Sequence, residues 1–300
     1  MKAVYTLADL CDRQTLDAGA DKPAKLAVLG YPIKHSASPQ MHQAALDELD
    51  IDCRYIRLEV EPGMLNEAID RMRQLGFIGC NVTVPHKQEA FENCTQLSDD
   101  ARALGVCNTL TFSDDGVHGH NTDGPGLLNA IKDDFGVELK DLKVLIVGAG
   151  GGAGKAIATQ CARAGCPQLT LANRTVAKVE AVRDELIQQL QLDPANIHAV
   201  APTDSSFGEL VKSSQLIINA TSLGLKSDDP LPMDAQLIDA SQLVYDAIYN
   251  PPVTSLMAAA AETGCKTSNG LSMLVHQGAL AFETWFGQQP NTKLMKSAIL

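Results

Sequence analysis

The chain has 300 residues, which is long enough for two domains that each bury a core of their own. It carries 36 acidic and 24 basic residues, so its formal net charge at neutral pH is −12. A charge of this sign repels phosphate-rich polymers and anionic membranes, and we expect neither nucleic acid nor membrane partners. Binding of a small anion must then depend on local basic side chains.

The first 22 residues contain four aspartates and no apolar segment of the kind found in a signal peptide. The eight cysteines form no Cys-x-x-Cys pair, and His118 and His120 have no third ligand nearby in the sequence. No apolar run reaches the length of a membrane span. We therefore expect a cytoplasmic protein with reduced thiols and no metal site.

From residue 25 to residue 75 strands and helices alternate, a rhythm typical of a parallel α/β layer. The predicted strands cover residues 25–30, 53–60 and 79–84, and a further strand covers 107–112. Ser38 reads as a helix N-cap with Pro39 at the first helical position. Ser36 and Ser38 could together present hydroxyls to an anion such as a carboxylate. Spacing alone favours the simpler alternative, in which Ser38 only caps the helix and Ser36 is only part of the preceding turn.

Two charged residues, Lys87 and Asp123, lie close to the predicted starts of helices, and the first lies where ligands of α/β sheets commonly bind. Lys87 follows the carboxyl end of the strand over 79–84, although an ordinary solvated lysine is the alternative. Asp123 precedes a helix predicted over 127–135, where a carboxylate could simply cap it. Gly124, Pro125 and Gly126 also suit a hinge or a crossover between domains.

A glycine-rich turn follows the apolar strand Val144–Val147 and opens a helix. Gly148, Gly150 and Ala153 occupy the three small-residue places of the G-x-G-x-x-G/A fingerprint, with Gly151 and Gly152 between them. In this pattern Gly148 permits the turn, Gly150 lets backbone amides approach a pyrophosphate, and Ala153 lets the helix pack against the strand. We predict dinucleotide binding; a glycine-rich turn without a ligand is the alternative.

The strand over 169–172 leads into Asn173, Arg174 and Thr175, with Lys178 one helical turn later. NAD-selective folds usually carry a carboxylate here for the ribose 2′-hydroxyl. A guanidinium instead grips a 2′-phosphate through two hydrogen bonds, which favours NADP. A solvated helix start is the alternative.

Strands and helices continue to alternate to about residue 267, with strands near 144–147, 169–172, 197–200, 216–219 and 243–246. The strand over 216–219 is followed by small polar residues, among them Thr221 and Ser222, which suit a floor beside a nicotinamide ring. After Gly270 the remaining helices lose this rhythm, and we expect them to return to the first domain.

Taken together, these stretches make the sequence resemble the shikimate dehydrogenase family over residues 26–299. The matching stretches are Lys34-His-Ser-Ala-Ser-Pro39 with His42, Asn81-Val-Thr-Val-Pro-His-Lys87, Gly105-Val-Cys-Asn-Thr109, Asn121-Thr-Asp-Gly124, the glycine-rich turn, Asn173-Arg-Thr175, Asn219-Ala-Thr-Ser222, Asp246 with Tyr249 to Pro251, and Gly270 with Met273, Leu274 and Gln277. The resemblance implies reversible, NADP-linked reduction of 3-dehydroshikimate to shikimate. It also implies a split α/β substrate domain (1–123 and 270–300) around a doubly wound, Rossmann-type NADP domain (124–269).

The resemblance also implies roles for particular residues. Ser36 and Ser38 bind the substrate carboxylate with help from Tyr249, and Lys87 with Asp123 forms the catalytic pair. The residues expected to bind the ring hydroxyls are Thr83, Lys87, Asn108, Asp123 and Gln277. The cofactor residues expected are Gly148, Gly150, Gly151, Gly152, Ala153, Asn173, Arg174, Thr175, Lys178, Thr221, Ser222 and Gly270.

Gln43 and Gly154-Lys155 depart from the pattern expected of the family, away from the presumed chemistry. Use of quinate, with NAD or NADP, remains an alternative activity, and a non-catalytic NADP sensor is a second alternative. We expect a monomer or a homodimer, with no metal and small molecules as the partners.

Overall fold

The computed structural model describes residues 2–300, in which thirteen strands and twelve α-helices succeed one another. The strands are β1 (Tyr5–Thr6), β2 (Ala24–Gly30), β3 (Arg54–Glu59), β4 (Gly79–Val82), β5 (Gln96–Leu97), β6 (Thr109–Ser113), β7 (Gly116–His120), β8 (Lys143–Val147), β9 (Gln168–Ala172), β10 (Ile197–Val200), β11 (Leu216–Asn219), β12 (Leu243–Asp246) and β13 (Lys266–Asn269). The helices are α1 (Arg13–Leu16), α2 (Ser38–Glu48), α3 (Leu65–Gln74), α4 (Lys87–Glu92), α5 (Asp99–Leu104), α6 (Asp123–Phe135), α7 (Gly152–Arg163), α8 (Val176–Leu190), α9 (Phe207–Ser213), α10 (Ser255–Glu262), α11 (Leu271–Phe286) and α12 (Thr292–Ser297).

The chain divides into two compact units. The first unit ends at Gly126 and resumes with Val275–Leu300, and the second is Leu127–Leu274. Both limits fall inside helices, α6 and α11, a few residues from the boundaries expected from the sequence. The α/β fold class expected from the sequence is confirmed. The assignment of substrate and NADP to particular units stays a prediction at this stage.

The first unit is built on a seven-stranded sheet in the order β1-β3-β2-β4-β6-β7-β5. Helix α3 covers one face of this sheet. Its apolar residues Leu65, Ala68, Ile69 and Met72 recur at helical spacing and are all buried. Their face joins the buried cluster that includes Leu58 of β3. The hydrophobic period of the helix thus matches the side of the sheet that it covers.

Antiparallel pairing in this sheet positions the candidate site. Strands β4 and β6 run antiparallel, with Asn81 opposite Thr109. The beginning of β6 therefore lies beside the carboxyl end of β4, where the backbone carbonyl of Asn108 accepts a hydrogen bond from the Val82 N–H at 2.8 Å. The βαβα rhythm that predicts a parallel layer ends before β4, and the sequence alone does not predict the pairing of β4 with β6.

The second unit contains a six-stranded parallel sheet in the order β10-β9-β8-β11-β12-β13. This is the order of a doubly wound dinucleotide-binding fold. Alternate residues of β8 point to opposite faces, since Val144 and Ile146 enter one buried cluster and Leu145 and Val147 another. The five strands predicted for this region are confirmed. Strand β13 was missed because its sequence, Lys-Thr-Ser-Asn, carries no apolar signal.

Candidate active site

A lysine–aspartate pair stands at the starts of two helices in the first unit. Lys87 is the first residue of α4 and Asp123 the first of α6, and Nζ lies 2.7 Å from Oδ2. Both side chains are partly exposed, at 31% and 23%. Asn121 accepts hydrogen bonds from the N–H groups of Asp123 and Gly124, so capping falls to Asn121. The alternative of Asp123 as a helix cap is therefore wrong, and its carboxylate faces Lys87.

Asn108 fixes the second oxygen of this carboxylate. Its Nδ2 donates to Asp123 Oδ1 at 2.9 Å and to Thr122 Oγ1 at 2.9 Å, with Gln277 Oε1 at 3.4 Å. Its Oδ1 accepts from the Thr122 N–H at 2.8 Å, which identifies the two ends of the amide. An amide nitrogen has two hydrogens, so the third acceptor is shared. The structure thus brings together four predicted site residues: Lys87, Asn108, Asp123 and Gln277.

A buried polar chain supports Asn108 from behind. The Tyr55 hydroxyl donates to Asn81 Oδ1 at 2.7 Å, and Asn81 Nδ2 donates to the Asn108 carbonyl and to Thr109 Oγ1. His42 stacks on Tyr55 with ring centroids 4.5 Å apart. Full burial lowers the pKa of His42 to about 3, so its imidazole is neutral at pH 7. No sequence argument had given Tyr55, Asn81 or His42 a role.

The predicted carboxylate-binding serines flank the start of α2. Ser38 is the first helical residue and the N-cap is Ala37, without a side-chain cap, so the prediction of Ser38 as N-cap is wrong. The Ser38 N–H instead donates to Ser36 Oγ at 3.3 Å. That bond closes a local turn before the helix and brings the two serines together.

The other two predicted substrate residues lie apart in the chain. Thr83 follows β4, and a Cβ added at Gly30 would come within 2.6 Å of its Cγ2, so glycine leaves the space that Thr83 fills. Tyr249 belongs to the second unit and is 36% exposed.

In the second unit, the glycine-rich turn joins β8 to α7. Gly148 has φ of +90°, and a Cβ there would lie 2.6 Å from Thr221 Cγ2. The packing role predicted for Ala153 is wrong, because Ala153 is exposed. Gly154 is buried, and its added Cβ would lie 2.2 Å from the Gly148 carbonyl oxygen. Gly154, rather than Ala153, is therefore the residue at which α7 packs most closely against the glycine-rich turn.

This turn offers unused backbone donors. Within residues 2–300, the N–H groups of Gly150, Gly152 and Ala153 make no hydrogen bond. Gly151 and Gly152 are exposed, and a Cβ at Gly152 would meet nothing within 4 Å. Open space in front of free N–H groups at a helix N-terminus fits a pyrophosphate.

The residues after β9 lie beside the same turn. A Cβ added at Gly150 would be 2.8 Å from Lys178 Cβ and 3.1 Å from Asn173 Cγ. Asn173 Nδ2 donates to the Thr175 carbonyl, while Arg174 and Lys178 are exposed and form no ion pair within the described chain. Two unpaired cations near the glycine turn fit an additional phosphate group.

Buried groups at the ends of β11 and β12 hold the loop with Thr221 and Ser222. Asn219 Nδ2 donates to both carboxylate oxygens of Asp246, and its Oδ1 accepts from Thr221 Oγ1 at 2.8 Å. The Thr254 hydroxyl donates to Asp246 Oδ2 at 2.7 Å, which completes the network. Gly270 is buried against Ala247, whose carbonyl oxygen would lie 2.2 Å from an added Cβ.

Among residues 2–300 there is no group of three His, Cys, Asp or Glu side chains that could hold a metal ion. His118 bonds to Ser113 and Asp115 in the β6–β7 hairpin. In the same part of the chain, no helix combines the length and apolar character needed to cross a bilayer.

Fold and sites together define a two-unit α/β oxidoreductase of the dinucleotide-dependent class. Three family models match the chain: the shikimate dehydrogenase substrate binding domain over 28–110, shikimate/quinate 5-dehydrogenase over 129–223, and the shikimate 5′-dehydrogenase C-terminal domain over 270–300. A shikimate dehydrogenase (NADP(+)) of Methanopyrus kandleri is 35% identical over 92% of this chain and 94% of its own length. The chain belongs to the shikimate dehydrogenase family, so the resemblance found in the sequence is confirmed.

Solved structures agree. A shikimate dehydrogenase crystallised in complex with NADP+ is 35% identical, with a TM-score of 0.84 over 91% of this chain and 93% of that one. The Thermus thermophilus shikimate 5-dehydrogenase in complex with NADP(H) and shikimate is 32% identical, with a TM-score of 0.81 over 92% and 98% of the two chains.

Proposed function

We propose that this protein catalyses the reversible, NADP-dependent reduction of 3-dehydroshikimate to shikimate. The observation that carries the proposal is the Lys87–Asp123 pair, held at 2.7 Å and joined to the buried Asn108. Family membership supports the substrate, and the unpaired Arg174 and Lys178 support the cofactor.

The lysine supplies what a ketone reduction requires of the protein. Bound NADPH supplies the hydride, and negative charge then develops on the former carbonyl oxygen of the substrate. The Lys87 ammonium can donate a proton to that oxygen, and Asp123 orients it. In the reverse direction, the same lysine accepts the proton of the substrate hydroxyl.

Asn108 and Gln277 suit recognition of the remaining ring hydroxyls. Asn108 is 2% exposed and Gln277 8%, so neither amide can reorient freely. The Asn108 amide shares one of its two hydrogens among several acceptors, and a substrate hydroxyl can compete for it. Thr83 completes this polar set, while Ser36 and Ser38 take the substrate carboxylate.

In the second unit, the free N–H groups of Gly150, Gly152 and Ala153 bind the pyrophosphate of NADP. Arg174 and Lys178 bind the 2′-phosphate, with Asn173 and Thr175 beside them. Thr221, Ser222 and Gly270 line the nicotinamide end. These cofactor residues account for a preference for NADP over NAD, because NAD lacks the 2′-phosphate that the cations would neutralise.

One assay tests the function. Absorbance of the reduced nicotinamide is followed with shikimate and with quinate, each with NADP and with NAD. We expect the highest kcat/KM for shikimate with NADP. A higher value for quinate would assign the chain to the alternative activity, and no turnover with either acid would favour a non-catalytic sensor.

A further inference from the structure

Arg57 connects strand β3 to the serine loop that precedes α2. Its Nε and Nη2 both donate to the Ser36 carbonyl oxygen, at 2.9 and 2.6 Å, and Nη2 also donates to Gln40 Oε1 at 2.7 Å. Two bonds from one planar guanidinium to one oxygen restrain that oxygen more than a single donor could. Arg57 thus holds the peptide between Ser36 and Ala37 from its carbonyl side.

That peptide also carries a donor on its other side. The Ser36–Ala37 bond is trans, so the Ala37 N–H points away from the oxygen that Arg57 holds. Within residues 2–300 this N–H has no hydrogen-bond partner. The side-chain oxygen of Ser36, Oγ, accepts from the Ser38 N–H at 3.3 Å, which leaves the hydroxyl hydrogen of Ser36 free to donate.

The same strand holds the loop at a second point. Two residues along β3, Glu59 Oε2 accepts the Ile33 N–H at 3.3 Å. Strand β3 therefore braces the loop through one cation and one anion, and only the cation is bonded to the peptide of Ser36 itself.

We propose that Arg57 is a positioning residue for the substrate carboxylate. It does not touch the substrate. It fixes the Ser36–Ala37 peptide so that the Ala37 N–H and the Ser36 hydroxyl stay directed at the carboxylate group of a cyclic hydroxy acid. This inference rests on the proposed function, because it takes shikimate as the ligand of the serine loop.

Arg57→Met tests the inference, since methionine keeps an unbranched apolar stem and removes every donor. We expect the KM for shikimate to rise roughly tenfold, with kcat within about twofold and the KM for NADP unchanged. Arg57→Lys retains the charge but cannot donate the paired bonds, so an intermediate rise is expected. The matched control is Arg71→Met, which removes an arginine bond to the Leu7 carbonyl elsewhere in the first unit and should change none of these constants.

A double variant locates the effect. If Arg57 acts through Ser36, Arg57→Met with Ser36→Ala should raise the KM for shikimate less than the product of the single effects. An unchanged KM in Arg57→Met, or equal losses for shikimate and NADP, would overturn the inference. If Arg57→Met does not fold, Arg57→Lys decides by the same criterion. Failure of the wild type to oxidise shikimate would instead refute the proposed function, so the two failures are distinct.

Discussion

Lys87 Nζ lies 2.7 Å from Asp123 Oδ2, although 36 residues separate the two in the chain. Each is the first residue of its helix, α4 and α6. The positive end of a helix dipole favours the Asp123 carboxylate but disfavours the Lys87 ammonium. The lysine is therefore placed where its charge is stabilised by the carboxylate, and the carboxylate in turn by Asn108.

Asp123→Asn should lower kcat for shikimate oxidation, because a neutral amide cannot orient or stabilise the ammonium. We expect a loss of about tenfold to a hundredfold, with the KM for NADP unchanged. Combined with Lys87→Ala, the loss should be smaller than the product of the single losses, because the two residues act as a unit. Steady-state kinetics checks this, and multiplicative losses would show that the two residues act independently.

Variants of the serine loop test both substrate binding and the finding that Ser38 does not cap α2. Ser36→Ala and Ser38→Ala should each raise the KM for shikimate and leave that for NADP nearly unchanged. Because Ser38 does not cap α2, its replacement should lower the free energy of unfolding by less than the cost of a lost N-cap, about 1 kcal/mol. Ser36→Ala should lose about 1 kcal/mol, since the Ser38 N–H loses its acceptor. Urea unfolding distinguishes the two, and the opposite ranking would restore the capping role to Ser38.

Cofactor choice is tested by Arg174→Asp. Replacing a guanidinium by a carboxylate converts attraction of the 2′-phosphate into repulsion, and NADP affinity should fall about tenfold to a hundredfold. Affinity for NAD should change little. Arg183→Asp alters the net charge equally and serves as the control, because Arg183 lies on α8, which begins shortly after Arg174, and pairs there with Asp184. If both variants lowered NADP affinity equally, Arg174 would act only through the net charge of the protein and not through a direct contact with the 2′-phosphate.

Burial of His42 predicts a pH dependence of stability. Its pKa is lowered from 6.5 to about 3 by burial, so the unfolded chain binds a proton that the folded protein excludes. The resulting stability is present above pH 6.5 and is lost as pH falls toward 3, at about 1.4 kcal/mol per pH unit. His42→Phe keeps an aromatic stack on Tyr55 and removes the proton site. Between pH 7 and 5, its free energy of unfolding should fall by roughly 2 kcal/mol less than that of wild type.

The control for this experiment is His35→Ala, which alters an exposed histidine. Its unfolding free energy should follow the wild-type pH dependence. If His42→Phe also followed the wild type, the imidazole would have to be protonated inside the fold.

The sequence was sufficient for the second unit because its parallel strands are nearly continuous apolar runs, such as Val144–Val147. It missed β13, whose side chains are polar, and the antiparallel β4–β6 pair, because these two strands are distant in the chain and no hydrophobic period encodes their pairing. Helix phase was harder to predict: α2 begins one residue earlier than expected, which changes the role of Ser38, and Gly154 instead of Ala153 makes the close contact of α7.

The candidate site divides in the same way. Motifs indicated Lys87, Asn108, Asp123 and Gln277, and the structure brings their side chains together in the first unit. The contact of Arg57 with Ser36 spans 21 residues and involves a backbone carbonyl, so no residue pattern could reveal it. Asn121 was likewise hidden, because the neighbouring Asp123 is an equally good cap by residue type.

The central claim is that the Lys87 ammonium transfers the proton in the chemical step. Because such a donor stabilises the transition state more than the ground state, Lys87→Ala should lower kcat about a hundredfold to ten-thousandfold. The KM for shikimate should change much less, and NADP should still bind. The measurement is the kcat of shikimate oxidation by Lys87→Ala, followed at the absorbance of NADPH. A near-normal kcat with a raised KM would contradict the account and make Lys87 a binding residue only.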